Sequence, residues 1–224
     1  MSSVKRGSLM KKFIIYLISI LFLFKLPISA QEKNFQILQS EWDRIMYSSK
    51  SIDEKEEQME KLAEKAVQWT EENKKSAELY AWAGIILSTE AGFYKINVVK
   101  ALAKARKAKE LLHTGLEIND KVLDGSIYTT LGTLYYQVPP FPIGFGDKDL
   151  AKTFLTKSIQ LNPNGIDSNY FYASYLFEEK LYKEALDRLI IASNAKPRVG
   201  RELADKGRRA DIEKLILKAQ EKLK

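Results

Sequence analysis

The sequence predicts an all-α fold in which pairs of α-helices stack side by side. Three segments, beginning at Ala108, Ala151 and Ala185, have an aliphatic residue four positions after the alanine and Gly, Ser or Ala three positions later. These positions share one face of a helix, and their small members allow a neighbouring helix to approach closely. The last two segments end at Pro163 and Pro197, thirty-four residues apart. A fixed spacing of this length is typical of helical repeats.

The first thirty residues have the three parts of a secretory signal peptide. Positive charges precede an apolar run of twelve residues, Phe13–Phe24, and small residues lead to a cleavage site near Ala30. A membrane-spanning helix needs about 20 apolar residues, so a permanent anchor is the weaker interpretation. We therefore predict a periplasmic protein that contacts a membrane only through the uncleaved signal segment. The chain contains no cysteine, which excludes a lipoprotein.

Charge and composition exclude several classes of function. Removing the signal segment with its five positive charges takes the formal net charge from +7 to +2, so the sequence predicts no nucleic-acid binding. With one histidine and no cysteine, a metal site of the usual kind is not expected. No nucleophile is paired with a base, so we expect neither enzyme activity nor a cofactor.

Each helix pair also needs a first helix, which lies upstream of the recurring segment. Tyr128–Tyr135 has an aromatic residue, then Leu and Gly, then Tyr, while Tyr80–Gly84 and Asn169–Leu176 are looser copies. A more degenerate pair begins near Trp42. After the signal segment, nearly the whole chain resembles the tetratricopeptide-repeat (TPR) superfamily. The resemblance implies a right-handed solenoid of about three to four helix pairs, formed by residues 31–200.

Two of the pairs are longer than the last one. Twelve residues separate Ala173 from Ala185, whereas nineteen separate Gly132 from Ala151 and twenty-four separate Gly84 from Ala108. We therefore predict enlarged loops between the two helices of both longer pairs.

The loop near residues 138–149, VPPFPIGFGDKD, is the more unusual of these insertions. Its three prolines cannot continue a helix, and its two glycines permit a tight turn before Asp147, which is placed to cap the next helix. Phe141, Ile143 and Phe145 alternate, so in an extended stretch they point the same way. They either pack the loop onto the helices or line an apolar pocket, and both interpretations stay open.

The last segment, residues 201–224, is predicted to cap the array. Leu203, Ile212, Leu215 and Ile216 permit one amphipathic helix, or two short ones around Gly207. Open-ended helical arrays need such a cap with a polar outer face.

The phrases PIGFGD, QLNP and ELADKGRR, together with the helical repeats, resemble the T-component family of TRAP transporters. That resemblance implies an internal apolar channel or cavity, a periplasmic substrate-binding protein as partner, and a small hydrophobic or organic-acid ligand. In the wider repeat family the groove is lined by residues of the first helices. By position these residues are Ser126, Thr129, Thr133 and Tyr136 in one pair, and Asp167, Tyr170, Ser174 and Phe177 in the next.

Two classes of function remain from the sequence. The first is a ligand-binding or accessory component of a TRAP-type transport system with an apolar cavity. The alternative is a generic envelope scaffold that binds other proteins through the concave groove.

Overall fold

A computed structural model describes the backbone of residues 30–224 and the side chains from Asn34 onward. The predicted signal segment lies outside these residues, apart from Ala30, where the first of the described helices begins. Residues Asn34–Lys224 form one unit. Within the described part the chain is helical and forms no β-strand, so the predicted all-α fold is confirmed.

The described residues form nine α-helices with one short 3₁₀ turn between the fourth and fifth. The helices are α1 (Ala30–Met46), α2 (Ile52–Glu72), α3 (Ala77–Phe93), α4 (Val98–Ile118), α5 (Ser126–Gln137), α6 (Lys148–Leu161), α7 (Ile166–Glu178), α8 (Tyr182–Ser193) and α9 (Glu202–Lys222). No helix in this part of the chain combines the length and the apolar character that crossing a bilayer demands.

Consecutive helices pack in pairs: α3 against α4, α5 against α6, and α7 against α8. The partners are antiparallel, because Gly84 in the middle of α3 lies against Leu112 in α4, whereas Tyr80, one turn earlier in α3, lies against Gly115, one turn further along α4. A Cβ atom on Gly84 would come within 2.4 Å of the Leu112 side chain. The absence of a side chain therefore sets the close approach of this pair.

The recurring small and aliphatic positions all lie in these contacts. Every one of them is buried in the structure, as the sequence predicted: Ala108, Leu112, Gly115, Ala151, Leu155, Ser158, Ala185, Leu189 and Ala192. The α5–α6 pair repeats the arrangement of α3 and α4, because a Cβ on Gly132 would lie 2.6 Å from Leu155. Burial of this stripe is the main apolar contribution of each second helix to the core.

The predicted loop enlargement between Gly84 and Ala108 is wrong. The extra residues lengthen the two helices instead, and only residues 94–97 connect α3 to α4. The reason is local sequence: residues 98–109 are rich in Ala and Lys, which are strong helix formers. Asn97 caps the helix, its side chain accepting a hydrogen bond from the Lys100 backbone N–H at 3.0 Å.

The second predicted enlargement is a loop, covering residues 138–147 between α5 and α6. The Gly146 N–H donates to the Pro139 carbonyl at 2.9 Å, and a Cβ on Gly146 would overlap the Val138 carbonyl. Asp147 caps α6, accepting hydrogen bonds from the backbone N–H groups of Asp149 and Leu150, each at 2.9 Å. The tight turn and the cap predicted for this loop are both confirmed.

The C-terminal segment forms the single helix α9, which runs through Gly207 without a break. This helix packs on α7 and α8. It also reaches the other end of the array, because Gly207 lies directly against the ring of Tyr47, the residue that follows α1. A side chain at position 207 would overlap that ring, so glycine is required for this close packing.

Candidate functional site: a cavity between the helices

The first helices of the pairs, α1, α3, α5 and α7, surround a cavity of about 320 Å³. The segment before α9 and α9 itself complete its wall with three arginines, Arg198, Arg201 and Arg208. Trp42, Trp82, Tyr170 and Phe171 supply aromatic surface. A volume of this size is within the range of small-molecule sites.

A second cavity, of about 840 Å³, continues from the first. The two share six lining residues: Trp82, Ser126, Thr129, Asp167, Arg198 and Arg201. Residues after α6 and α8 form much of the outer wall of this second space, including Asn162, Asn164 and Asn194. The interior space therefore runs from the aromatic centre to a polar mouth.

Four serine and threonine hydroxyl groups of the cavity wall donate hydrogen bonds to backbone carbonyls. On α3, Ser88 and Thr89 donate to the carbonyls of the preceding turn at 2.7 and 2.9 Å. On α5, Thr130 and Thr133 do the same at 2.9 and 2.8 Å. Such bonds use the hydroxyl protons of these side chains within their own helices. The wall is consequently less polar than its composition suggests.

Arg201 forms the longest-range ion pair of the cavity wall. Its Nε and Nη2 donate to the two carboxylate oxygens of Asp43 on α1 at 2.7 and 2.8 Å. Both side chains are largely buried, and burial raises the pKa of Asp43 although Arg201 opposes the shift. The pair joins the first helix to the segment that precedes the last one.

Asp167, at the start of α7, lies between the other two arginines. It accepts hydrogen bonds from Arg198 Nη1 at 2.6 Å and from Arg208 Nε at 2.8 Å. Burial alone would raise the pKa of Asp167, but the charges of Arg208 and Arg198 hold it well below its ordinary value. Arg198 also donates to Asp205, and Arg208 to Asp211. Each guanidinium thus has carboxylate partners inside the protein.

The two tryptophans of the wall differ in their hydrogen bonding. Trp42 donates its Nε1–H to the Thr89 hydroxyl at 2.9 Å. Trp82 is only 3% exposed, and its Nε1 has no hydrogen-bond partner among the described residues. Arg201 lies over the Trp82 ring, 5.3 Å from its centroid. The indole N–H of Trp82 is therefore a buried donor without a partner in the described part of the chain.

The predicted site residues fall into three groups in the structure. Five line the central cavity: Ser126, Thr129, Thr133, Asp167 and Tyr170. A neighbouring pocket of about 550 Å³, which shares Tyr170 with the central cavity, is lined by Tyr136, Ser174 and Phe177. Burial raises the pKa of Tyr136 to about 12. The third group is the loop trio Phe141, Ile143 and Phe145.

The loop trio lines neither this pocket nor the central cavity. Phe141 is 87% exposed and Ile143 is 60% exposed. Phe145 turns the other way, with its ring edge-on to Tyr135 at 5.6 Å and with Lys109 Nζ 4.2 Å above it. The tight turn at Gly144 and Gly146 ends the extended stretch that would have kept the three side chains on one side.

Truncating the loop phenylalanines is expected to have unequal effects. Phe145→Ala should lower the free energy of unfolding by about 1–2 kcal/mol, because it removes a packed aromatic contact and a cation–π contact. Phe141→Ala should change it by less than about 0.5 kcal/mol, because the side chain contacts mainly solvent. Urea denaturation of both variants measures the difference, and equal losses would contradict the observed packing.

Sequence reasoning did not identify Trp82 or the three arginines as cavity residues. Of the aspartates paired with these arginines, it identified only Asp167. Arg201 and Asp43 are 158 positions apart, and nothing in their local sequence indicates that they meet. The clustered basic and acidic residues between Arg198 and Asp211 were the available signal, but a charged helix face is usually solvated.

Comparison with protein families finds no family model that matches this chain, and comparison with curated proteins finds no match either.

Proposed function

We propose that the protein is a periplasmic ligand-binding protein, and that its ligand occupies the cavity between the first helices. The observation that carries the proposal is the continuity of the two cavities through Trp82, Thr129 and Asp167. In this proposal the helix pairs form a right-handed TPR-like superhelix of three to four pairs. The buried recurring positions and the two glycine contacts support that arrangement.

The cavity favours a small ligand over an extended peptide. Two contacts cross the space between the two ends of the array. One is the contact of α9 with Tyr47, and the other is the ion pair between Arg201 and Asp43. A peptide bound along a concave groove needs open access over several turns of helix, whereas a small molecule needs only an enclosed volume.

The resemblance of its sequence phrases to TRAP T-components supports a role for this ligand-binding protein in a transport system. In that role it is an accessory component that exchanges a small hydrophobic or organic-acid ligand with a periplasmic substrate-binding protein. The signal segment of the sequence supports export, and the apolar cavity supports a ligand of this type.

A scaffold function is the second candidate, and one observation favours it. Apolar side chains are exposed where the two helices of neighbouring pairs are connected. Ile96, between α3 and α4, is 98% exposed, and Val99, at the start of α4, is 81% exposed. Phe141, in the loop after α5, is also exposed. Exposed apolar patches on soluble proteins commonly mark contacts with other proteins. The same exposed residues would contact the partner protein in the transport role.

Filling the cavity is expected to abolish retention of a co-purifying ligand. Thr133→Phe places a ring in the wall of the central space, whereas Thr153→Phe makes the same change on an exposed face of α6. The two threonines are matched, because each donates to the carbonyl four residues earlier at 2.8 Å. Native mass spectrometry after gentle purification should show bound small molecules in the wild type and in Thr153→Phe, but not in Thr133→Phe.

Two results would count against this proposal. A wild-type spectrum without any bound small molecule would favour the scaffold function. If circular dichroism shows that both variants are folded and both retain the ligand equally, the ligand binds outside the central cavity.

A further inference from the structure

We propose that Tyr170 recognises the polar group of the ligand, and that its phenol hydroxyl donates a hydrogen bond to a carbonyl or carboxylate oxygen of an otherwise apolar molecule. The inference rests on the proposed function, and it deepens that function by naming the residue that orients the ligand. The ligand oxygen then lies where the central cavity meets the neighbouring pocket.

Tyr170 stands at the junction of these two spaces. Together with Gln137 and Phe171 it lines both the central cavity and the neighbouring pocket of about 550 Å³. Asp167, one turn earlier on α7, lines the central cavity but not this pocket, whereas Ser174, one turn later, lines the pocket but not the central cavity. A ligand in either space therefore borders the Tyr170 side chain.

The ring of Tyr170 is held in place by its neighbours. The guanidinium carbon of Arg208 lies 4.3 Å from the ring centroid, and Phe171 packs edge-on with 5.2 Å between the two centroids. Arg208 is itself fixed, because its Nε donates to Asp167 at 2.8 Å. A ring that is already fixed loses little conformational entropy when a ligand binds to it, which favours a role in recognition.

The hydroxyl of Tyr170 borders open space and is free to bind a ligand. Tyr170 is half-buried, and its hydroxyl forms no hydrogen bond with another described residue. In this part of the chain the fully enclosed side-chain atoms without a hydrogen bond belong to Trp82, Glu90 and Asn169, and the Tyr170 oxygen is not one of them. A ligand oxygen can replace the water that such a hydroxyl binds in solution.

The other hydroxyl groups that line the central cavity are all hydrogen-bonded within the protein. Thr129 shares a hydrogen bond with Ser158 on α6. Five more donate to backbone carbonyls, those of Ser88, Thr89, Ser126, Thr130 and Thr133. Of the described hydroxyl groups in this wall, that of Tyr170 alone has no partner in the protein.

The arginines of the wall differ from Tyr170 because carboxylates of the chain bind each of them. Arg201 pairs with Asp43, and Asp167 pairs with the other two arginines. Removing one member of a buried ion pair is costly, so a ligand that displaced an aspartate would bind weakly. A ligand oxygen bound by the phenol leaves all of these pairs intact.

The rest of the central cavity suits an apolar body. Trp42, Met46, Ile85 and Leu134 lie in its wall. Burial of apolar ligand surface against such side chains supplies most of the affinity in small-molecule sites, and a few polar groups fix the orientation. Here the hydrogen bond to Tyr170 supplies that orientation.

Titration calorimetry of the purified full-length protein with methyl benzoate and propylbenzene tests the hydrogen bond. The two probes are similar in size, but only the ester has oxygen acceptors. The ester should bind about three- to ten-fold more tightly, which corresponds to one hydrogen bond. Equal affinities, or tighter binding of the hydrocarbon, would overturn the proposal.

Tyr170→Phe removes the hydroxyl and keeps the ring that packs against Arg208 and Phe171. The variant should lose the preference for methyl benzoate while still binding both probes, and comparing two ligands in two proteins isolates the hydrogen bond from changes in packing. Tyr172→Phe is the matched control, because its ring also lies beside an arginine, Arg188 at 5.5 Å, but lines neither space. The control should keep the preference, and an unchanged preference in Tyr170→Phe would overturn the assignment.

Benzoate distinguishes the two kinds of acceptor. If the site is built for a carboxylate, benzoate binds more tightly than the ester, and Tyr170→Phe lowers its affinity more than ten-fold, because hydrogen bonds to charged groups are stronger. If the site is built for a carbonyl, the ester binds more tightly than benzoate. In both cases the loss in Tyr170→Phe must exceed the loss in Tyr172→Phe, and equal losses would overturn the inference.

Two results separate a failure of this inference from a failure of the proposed function. If no probe binds and the wild type retains no small molecule, the proposed function fails, and the inference fails with it. If the probes bind and Thr133→Phe abolishes their binding, but Tyr170→Phe leaves their affinities unchanged, the function stands and the assignment to Tyr170 is wrong.

Discussion

Replacing Arg201 by alanine is expected to lower the free energy of unfolding by about 3–5 kcal/mol, the usual cost of leaving one member of a buried ion pair without its partner. Asp43 is 4% exposed, so its carboxylate cannot recover hydration after the guanidinium is removed. The substitution also removes the hydrogen bonds between α1 and the segment before α9. Chemical denaturation at pH 7 measures the effect.

Two further variants separate the ion pair from a general loss of arginine. Arg44→Ala removes an exposed arginine from the same helix as Asp43 and should cost less than about 0.5 kcal/mol. The double variant Asp43→Ala with Arg201→Ala should recover part of the loss, because no buried charge is then left alone. A double variant less stable than Arg201→Ala would contradict this account.

The Arg201→Ala deficit is also expected to shrink as the pH falls from 7 towards 4. Burial already raises the pKa of Asp43 in the wild type, and the loss of Arg201 removes the main opposing influence. A carboxyl group with a higher pKa in the folded state than in the unfolded state binds more protons when folded, so its contribution to stability increases with acidity. A deficit that stays constant over this range would show that Asp43 is not the cause.

Replacing Asp167 by alanine is the second large effect, expected at about 1.5–3 kcal/mol, because Arg198 keeps Asp205 and Arg208 keeps Asp211 as carboxylate partners. The change leaves Arg208, which is 9% exposed, and the partly buried Arg198 without their shared carboxylate. Asp187→Ala, at an exposed position on α8, is the control and should be nearly neutral. Urea denaturation of the two variants at pH 7 makes the comparison.

Asp167 should also account for part of the acid sensitivity of the wild type. Its pKa is depressed by Arg208 and Arg198 against the effect of burial. A carboxyl group of this kind contributes stability that is complete above its unfolded pKa, near 3.9, and that is lost as the pH falls below it. The stability gap between wild type and Asp167→Ala should therefore narrow between about pH 5 and pH 2. A gap that widens there would contradict the assignment.

The helices and their contact faces were predictable because they depend on short-range spacing. Ala151 and Ala185 lie in a pattern of period 3.6, and this pattern alone assigns them to the buried side of a helix. The turn at Gly144 and Gly146 was likewise readable, because glycine and proline restrict the backbone locally. Asp147 was correctly predicted to cap α6, because an aspartate side chain accepts hydrogen bonds from the first N–H groups of a helix.

Other features depend on contacts that local sequence does not encode. The lengths of α3 and α4 were not predicted. The extra residues between Gly84 and Ala108 were expected to form a loop, although their Ala- and Lys-rich sequence favours helix. The directions of Phe141 and Phe145 differ because the turn between them reverses the chain. The meeting of Arg201 with Asp43 requires knowing how the last helix returns to the first, which a single sequence does not reveal.

The packing of Gly207 against Tyr47 has a consequence for how the protein unfolds. In an array whose terminal units touch only one neighbour, those units fray first and lose structure in steps. Here α9 also contacts Tyr47, the residue that follows α1, and Arg201 pairs with Asp43 on α1. Neither terminal helix should therefore unfold independently of the other. The domain should lose its structure in one cooperative transition, and amide protons of α1 and α9 should exchange as slowly as those of the central helices.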